Sequence, residues 1–390
     1  MQGPRHCTRL AAQVLLAWLV GSLPVAAETH VVGPDGLPAA FADALRRARD
    51  GDVIDMLPGE YRGVVGVIGQ KKLTIRGVGA RPVFLADGKV AEGKAILVVR
   101  NGDIVLDNLE FRGARAADAN GAGVRFEKGR LQVRRCAFLD NQMGLLTANF
   151  GDAELDIVDS EFGLAPESAG GLTHLLYVGR IGRFSVRGSH FHRGASGHLI
   201  KSRARESFIA YNMVRDGPAG RASYEVDLPN GGVATLVGNV IAQSAGSDNP
   251  VVVSFGEEGR GWERNALYMV HNTLINEGWK PAWFLRVDRD KVPNIASVRA
   301  VNNLLVGLGT FSLPNAVDFA GNWPATPGML RDAATLAFEL PPESWLRGRG
   351  VNPRDLVAAE LLPQAEFEWP VGTVPIGLDR AAWSPGAYQR

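Results

Sequence analysis

The clearest pattern in the chain is a short phrase in which a small polar residue is followed, two positions later, by a branched or aromatic apolar residue. Successive copies lie 23 to 33 residues apart, a spacing typical of solenoid repeats. The copies are Cys136-Ala137-Phe138, Ser160-Glu161-Phe162, Ser189-His190-Phe191, Asn212-Met213-Val214, Asn239-Val240-Ile241, Asn272-Thr273-Leu274 and Asn303-Leu304-Leu305. Between them apolar and polar residues alternate, as in Leu131-Gln132-Val133, which predicts strands rather than helices.

Strand periodicity inside a solenoid repeat predicts an all-β fold, a single-stranded right-handed parallel β-helix of about nine to eleven coils. Coils of such a solenoid stack about 4.8 Å apart, so the polar member of each phrase forms an internal column. Asn side chains in this column are expected to pair with the turn backbone and with one another. The predicted members, all structural, are Cys136, Ser160, Ser189, Asn212, Asn239, Asn272 and Asn303.

The N-terminus has the composition of a secretory signal. Arg5 and Arg9 precede an apolar run at 10–20 and a small-residue stretch ending at Ala27, which predicts a signal peptide over residues 1–27 and a periplasmic or secreted protein. Its removal leaves 40 basic and 41 acidic residues, a balance that does not suggest nucleic acid. No second apolar run is long enough for membrane insertion. Cys136 is then the only cysteine, so no intramolecular disulfide is expected.

Both ends of the solenoid, which spans residues 28–325, are predicted to be covered. An amphipathic helix at 38–49, with Phe41, Ala44 and Leu45 on one face, is expected to cap the first coil. After residue 325 prolines interrupt the strand pattern. The segment 326–390 is therefore predicted to be an irregular C-terminal cap with a short helix at 330–336 or 353–362, and a separate functional module is the alternative.

The opening segment also carries a family resemblance. The phrases Ala44-Leu45, Asp50-Gly51-Asp52 and Leu57-Pro58-Gly59-Glu60-Tyr61, together with the Asn and Ser column, resemble the right-handed parallel β-helix proteins of the pectate-lyase-like superfamily. The resemblance covers residues 30–325 and implies their fold. It leaves the activity open, because lyases, hydrolases, epimerases and binding proteins share that fold.

Midway between the column positions lies a second set of strand-like segments. If their apolar third residue faces inward, the fourth faces outward, because side chains alternate along a strand. The outward column is then Glu127, Thr147, Tyr177, Lys201, Asp227, Ser254 and Arg286. Tyr177, Lys201 and Asp227 fall on successive coils and predict one wall of a groove. A plain cross-strand ion pair between Lys201 and Asp227 is the alternative.

The groove residues suggest an acidic polysaccharide or oligosaccharide as the partner. β-Elimination on a uronic acid needs a cation, a base and a proton donor, and such groups occur close together along the chain. The predicted catalytic residues are Tyr177, His198, Lys201, Arg203, Glu225 and Asp227, and the predicted substrate-binding residues are Asn230, Glu257 and Trp262. His198 also fits a buried core histidine.

The resemblance adds that β-helix lyases of the chondroitinase B and alginate lyase type use a Lys base and an Arg, sometimes with Ca²⁺. Lys201 and Arg203 match these in residue type. A carboxylate beside Lys201 would nevertheless favour its ammonium form, which is the wrong form for a base. Tyr177 or His198 is the alternative base.

Other functions stay open at this point. Glu225 and Asp227, about 6.5 Å apart along one strand, fit an inverting glycoside hydrolase, and a C5-epimerase would use nearly the same groups as a lyase. A solenoid that binds carbohydrate without catalysing a reaction is the alternative to an enzyme. Ca²⁺ is left open through oxygen donors of Glu225, Asp227, Asn230 or Glu257. A monomer is expected.

Overall fold

The structure is a computed structural model that describes residues 27–34, 37–167, 173–247, 249–312, 318–379 and 381–390. All but the last residue of the predicted signal peptide lies outside these ranges, so export stays a prediction. Within the described ranges, no helix combines the length and apolar character needed to span a bilayer.

The chain winds into a parallel β-helix in which each coil adds one strand to each of three parallel sheets. The first sheet contains Thr29–Val32, Val53–Met56, Lys72–Gly77, Asp103–Asp107, Arg130–Arg134, Glu154–Val158, Arg183–Arg187, Glu206–Ala210, Val233–Val237, Asn265–Val270, Ile295–Val301 and Asp318–Ala320. The second contains Glu60–Arg62, Val83–Leu85, Glu110–Arg112, Ala137–Leu139, Glu161–Gly163, His190–His192, Met213–Arg215, Val240–Gln243, Thr273–Asn276, Leu304–Val306 and Trp323–Ala325. The third contains Gly66–Ile68, Ala95–Val99, Ala122–Phe126, Met143–Thr147, His174–Val178, Ile200–Ser202, Val226–Leu228, Val253–Phe255, Ala282–Val287 and Gly309–Ser312. The predicted fold class is confirmed.

The predicted polar column is also confirmed and lies at the bend between the first and second sheets. The Asn239 amide donates to Ile209 O at 2.8 Å and to Asn272 Oδ1 at 2.9 Å. The same Asn272 Oδ1 accepts the Asn239 backbone N–H at 3.1 Å. This pattern repeats from Asn212 to Asn322, and Cys136, Ser160 and Ser189 continue the column with Ser hydroxyls as acceptors.

The bend itself requires an unusual backbone conformation. The residue just before each column position, and the equivalent residue one coil earlier, has a positive φ between 49° and 64°. These residues are Asn108, Arg135, Asp159, Gly188, Tyr211, Gly238, His271, Asn302 and Gly321. The left-handed conformation costs a non-glycine residue about 1 to 2 kcal/mol, which the hydrogen bonds of the column offset.

Aromatic rings fill the core behind the second sheet. Phe84, Phe111, Phe138, Phe162 and Phe191 stack from coil to coil with ring centroids 4.6 to 5.4 Å apart. The stack is covered at the N-terminal end, as expected, by a helix.

That capping helix spans Leu37–Arg47 and ends two residues earlier than predicted. Phe41 lies on its buried face, 5.5 Å from the Phe84 ring centroid. The Gln70 amide donates to Leu45 O at 2.7 Å and to Ala48 O at 3.2 Å. The helix ends where this side chain satisfies its last carbonyl groups.

The C-terminal segment differs from the prediction in position and in structure. It lies along the outer flank of the second sheet, where Phe338, Leu346 and Phe367 pack on Val240 and Ile275. A sheet buried on both faces has apolar residues at every position, which explains the continuous apolar runs of the late coils. In place of the expected helix it has short 3₁₀ turns at Pro327–Met329, Ala333–Thr335, Pro353–Asp355 and Ala359–Leu361, and an antiparallel pair Ala365–Phe367 and Thr373–Pro375.

Replacing Asn239 by Leu is expected to lower the free energy of unfolding by about 2 to 4 kcal/mol. The change removes the acceptor of the buried Asn212 backbone N–H and the side-chain donor to the Ile209 carbonyl, at about 1 to 3 kcal/mol for each unpaired group. Urea unfolding followed by circular dichroism measures the loss. Asn101→Leu, at an exposed position, is the control, and equal stabilities of the two variants would contradict a structural role for the column.

Candidate functional site

The candidate site lies on the outer face of the third sheet, in its C-terminal half. Strand register places Tyr177 beside Lys201, Lys201 beside Asp227, Asp227 beside Ser254 and Ser254 beside Arg286. This part of the predicted outward column is confirmed. Side chains that lie 24 to 32 residues apart in sequence are therefore direct neighbours on the sheet.

The N-terminal part of the predicted column is wrong, by one residue at Thr147 and by two residues at Glu127. Tyr177 pairs with Leu146, which in turn pairs with Arg125, so Thr147 and Glu127 are not in this column. Leu145 faces the core, whereas Leu146 belongs to an apolar patch on the outside of the sheet. Because both residues are leucine, the polarity pattern did not reveal which one faces inward.

Lys201 lies between two carboxylates. Its Nζ is 3.0 Å from Asp227 Oδ2 and 3.0 Å from Glu258 Oε1, and only 9% of its side chain is exposed. Burial alone would lower the pKa of Lys201, but the charges and hydrogen bonds of the two carboxylates raise it above its usual value. Burial would likewise raise the pKa of Asp227, yet His198 and Lys201 lower it. Lys201 is therefore an ammonium and Asp227 a carboxylate at neutral pH.

Arg203 holds Glu258 from the other side. Its two terminal nitrogens donate to Glu258 Oε2 at 2.6 Å and to Oε1 at 2.9 Å. Its Nε donates to the Tyr177 hydroxyl at 2.8 Å, and Nη1 also donates to Asn230 Oδ1 at 2.7 Å. Partial burial would raise the pKa of Glu258, but Arg203 and Lys201 lower it to about 2. One carboxylate is thus held by two cations.

Two histidines lie beside this ionic cluster. His198 is 5% exposed, and its Nδ1 lies 3.1 Å from Asp227 Oδ2. His174 Nδ1 accepts the His198 backbone N–H at 2.9 Å. Burial, followed by the nearby positive charges, lowers the pKa of His174 well below its usual value, so His174 is a neutral structural residue.

Glu225 does not join the cluster, and its predicted place beside Asp227 in the groove is wrong. It is completely buried, and its Oε2 accepts a hydrogen bond from the Gln243 amide at 3.2 Å. Burial, together with the charge of Asp216, raises the pKa of Glu225 well above its usual value. The carboxylate pair that suggested an inverting hydrolase is therefore absent from the groove.

The predicted binding residues have different surroundings. Asn230 lies in the cluster, where its amide donates to Gly259 O at 2.6 Å. Glu257 contacts Arg286 at 2.9 Å and bonds to the Tyr224 hydroxyl, one step further along the sheet.

Trp262 lies behind Arg203. Its indole N–H donates to Arg203 O at 3.1 Å, and the guanidinium of Arg180 lies 4.1 Å from its ring centre. Trp262 therefore supports the Arg203 backbone and faces a groove on the first sheet, rather than the face that carries Tyr177.

The oxygen donors considered for Ca²⁺ do not converge. Asp227 faces Lys201, Glu225 faces Gln243, Glu257 faces Arg286, and Asn230 lies between Arg203 and Gly259. Among the described residues, these carboxylates do not belong to any group of three or more side chains whose ligand atoms are close enough to share a metal ion. The arrangement does not fit a Ca²⁺ site, and no step is assigned to one.

The sequence does not indicate that Glu258 belongs to the site. The phrase Gly256-Glu257-Glu258-Gly259 marks an acidic loop, but nothing in it distinguishes the two glutamates. Only the folded loop shows that Glu258 contacts Lys201 and Arg203, whereas Glu257 contacts Arg286.

No family model and no curated protein sequence matches the chain. Among solved structures, a pectate lyase matches with a TM-score of 0.64 and 14% identity, over 93% of this chain and 96% of that one. An alginate lyase in complex with a trisaccharide matches with a TM-score of 0.40 and 14% identity, over 71% and 72% of the two chains. The A-module of a mannuronan C-5 epimerase from Azotobacter vinelandii matches with a TM-score of 0.31 and 13% identity, over 76% and 96%. The pectate lyase likeness shows a shared fold.

Glu225→Gln is expected to stabilise the protein increasingly as the pH rises. Folding raises the pKa of Glu225 from its ordinary 4.5, so the protonated side chain costs stability once the unfolded chain ionises above that pH. Glutamine removes this cost. The difference in free energy of unfolding from wild type should grow above pH 4.5 by up to about 1.4 kcal/mol per pH unit, measured by urea unfolding between pH 4 and 8.

Asp227→Asn, two residues away, is the matched comparison. It leaves the buried ammonium of Lys201 with Glu258 alone, and breaking a buried ion pair costs about 3 kcal/mol or more. We expect this variant to be less stable than wild type at pH 7, where Glu225→Gln is more stable. The same sign for both variants would contradict the charge states described above.

Proposed function

We propose that this protein cleaves an acidic polysaccharide by β-elimination, with Tyr177, Lys201 and Arg203 as the groups that act on a uronic acid residue. The observation that carries the proposal is that Lys201 and Arg203 converge on one carboxylate, that of Glu258. Paired donation from a guanidinium is the geometry best suited to recognising a carboxylate. The carboxylate of a uronic acid has the same shape and charge.

Substrate binding in this proposal displaces Glu258. Its side chain is 44% exposed and belongs to a loop, so it can leave without disturbing the sheet. Lys201 and Arg203, by contrast, are 9% and 17% exposed. The two cations form a buried receptor, and Glu258 is its replaceable occupant.

The chemical step uses the charge of both cations. Neutralising the substrate carboxylate acidifies the proton on C5, because negative charge moves toward that carboxylate as the proton leaves. Transfer of this proton to the Tyr177 oxygen forms the C4–C5 double bond and breaks the C4–O bond, and the Tyr177 hydroxyl formed in this way returns the proton to the leaving oxygen. Lys201, which the resemblance suggested as the base, serves as a charge neutraliser because the carboxylates around it keep it protonated.

Tyr177 is the proposed base. Its oxygen accepts a hydrogen bond from Arg203 Nε at 2.8 Å, which places it beside the proposed binding position of the substrate carboxylate, within reach of the C5 proton. His198 is the second candidate, but it is nearly buried. Asp227 and Asn230 are positioning residues that orient Lys201 and Arg203.

The chain shares its architecture with a pectate lyase, and a shared fold does not establish a shared activity. In the proposal the protein acts after export on an extracellular polymer. A C5-epimerase and a carbohydrate-binding protein are distinguished by the assay that follows.

Incubation with pectate, alginate, glycosaminoglycans and neutral glucans should give ultraviolet absorbance from unsaturated uronates, together with new reducing ends, on an acidic polymer only. Reducing ends without absorbance would mean hydrolysis. Exchange of the C5 proton without cleavage would mean epimerisation. Binding without turnover across the panel would contradict an enzymatic role.

Lys201→Ala and Arg203→Ala are each expected to lower kcat/KM by about 100-fold, because each removes a charge that faces the developing carbanion. Glu258→Gln is expected to lower KM, because it removes the internal competitor of the substrate carboxylate. Lys280→Ala, on an exposed loop residue, is the control. Full activity of the Lys201 and Arg203 variants would place the site elsewhere.

A further inference from the structure

A second cluster of chemically active side chains lies on the outer face of the second sheet, away from the residues of the proposed lyase site. The strands Glu161–Gly163 and His190–His192 are neighbours, with Glu161 beside His190 and Gly163 beside His192. His190 and His192 point to the same side of their strand. They point outward, because Phe191 between them is fully buried.

The three side chains converge. One potential ligand atom from each of Glu161, His190 and His192 lies within 4.8 Å of the other two. His192 Nε2 is 3.0 Å from Glu161 Oε1. Two atoms bound to one tetrahedral zinc ion at about 2.1 Å each would be about 3.4 Å apart, so this pair is already near the required separation.

The neighbouring strand leaves room for the His192 ring. Gly163 lies directly opposite, and a β-carbon there would come within 2.4 Å of a His192 ring atom. Only glycine allows the imidazole to lie across the adjacent strand, where it reaches Glu161. The position of the ring therefore depends on two strands and not on His192 alone.

His190 provides a second, independent indication. Its ring contacts are with the ring of His192, at 4.5 Å, and with that of Trp369, at 4.9 Å. Among the described residues no group hydrogen-bonds to its ring nitrogens, unlike those of His192. The Trp369 segment is held in place by Gly372, whose N–H donates to Gly188 O at 2.8 Å.

We propose that Glu161, His190 and His192 bind a divalent transition-metal ion, with Zn²⁺ as the preferred ion and water in the remaining position. Imidazole and carboxylate donors suit zinc, and two histidines with one glutamate form an established type of three-ligand zinc site with an open position. Partial exposure of Glu161 and His192, at 34% and 19% of the side chain, gives the ion a path from solvent.

The other candidate metal cluster among the described residues has one histidine and two carboxylates, and the buried carboxylate is already used by the backbone. It consists of Glu28, His30 and Asp52. The Asp52 carboxylate already accepts the backbone N–H groups of Glu28 and Arg49, each at 2.8 Å. These bonds make Asp52 part of the N-terminal turn, so His30 serves as a control for the zinc site.

The test uses the protein without an affinity tag, freed of metal by a chelator. Titration calorimetry with Zn²⁺ should show one equivalent bound, and Co²⁺ should give the visible absorption of a cobalt ion with nitrogen and oxygen ligands. His190→Gln and His192→Gln should each weaken Zn²⁺ binding by at least about 10-fold. His30→Gln should bind like the wild type.

Trp369 offers a local readout that does not depend on the number of ions bound elsewhere. Because its ring contacts His190, Co²⁺ should quench its fluorescence, and Trp369→Phe should remove that quenching while Zn²⁺ still binds. Thermal unfolding without metal confirms that each variant is folded. Absence of Zn²⁺ binding, or binding that both histidine variants retain in full, would overturn the proposal.

Discussion

The hydrogen-bonded column at the bend between the first and second sheets is the interaction on which the structure depends. Each Asn in it binds the coil before and the coil after, through the side chain and the backbone. Because each coil from Cys136 to Asn322 is thereby fixed against its neighbour, the strands there keep a common register, apart from bulges at Asn265 and Trp283. A slip of a single residue would move each apolar side chain to the opposite face. The stacked Phe residues and the column of Tyr177, Lys201 and Asp227 are consequences of that register.

The same register explains why a cluster of charges is stable on a sheet. Lys201 and Asp227 lose most of their hydration, a penalty that only close partners offset. The stacking supplies those partners from three coils, and the loop at 256–262 supplies Glu258. Each ionic group is satisfied by another, which leaves Glu258 as the member most open to exchange. The proposed binding of a negatively charged sugar rests on this combination of a rigid sheet and one partly exposed acidic side chain.

The sequence predicted the fold because strand alternation recurs along the chain and column residues recur in successive coils from Cys136 to Asn303. It predicted that Tyr177, Lys201 and Asp227 are adjacent on the outer face of the sheet, because side chains within a strand alternate between its two faces. It failed for Glu225 because that residue precedes the strand Val226–Leu228, where alternation does not hold. The path of the C-terminal segment was not predictable either. The apolar outer positions of the late coils, such as Val240 and Ile275, required a covering layer, but did not identify it.

The proposed site also implies a preference among substrates. When Glu258 leaves, Lys201 and Arg203 lose their exchangeable partner, and a neutral sugar offers no charge to replace it. A ligand that leaves buried polar groups of the protein unpaired is rejected more strongly than a ligand that merely lacks an apolar contact. A uronic acid restores the ion pairs and releases Glu258 to solvent, so the exchange conserves charge. In the absence of substrate, Glu258 neutralises Lys201 and Arg203, and only a ligand with a negative charge can replace it. Glu258 therefore contributes to discrimination against neutral glycans although it does not touch the substrate.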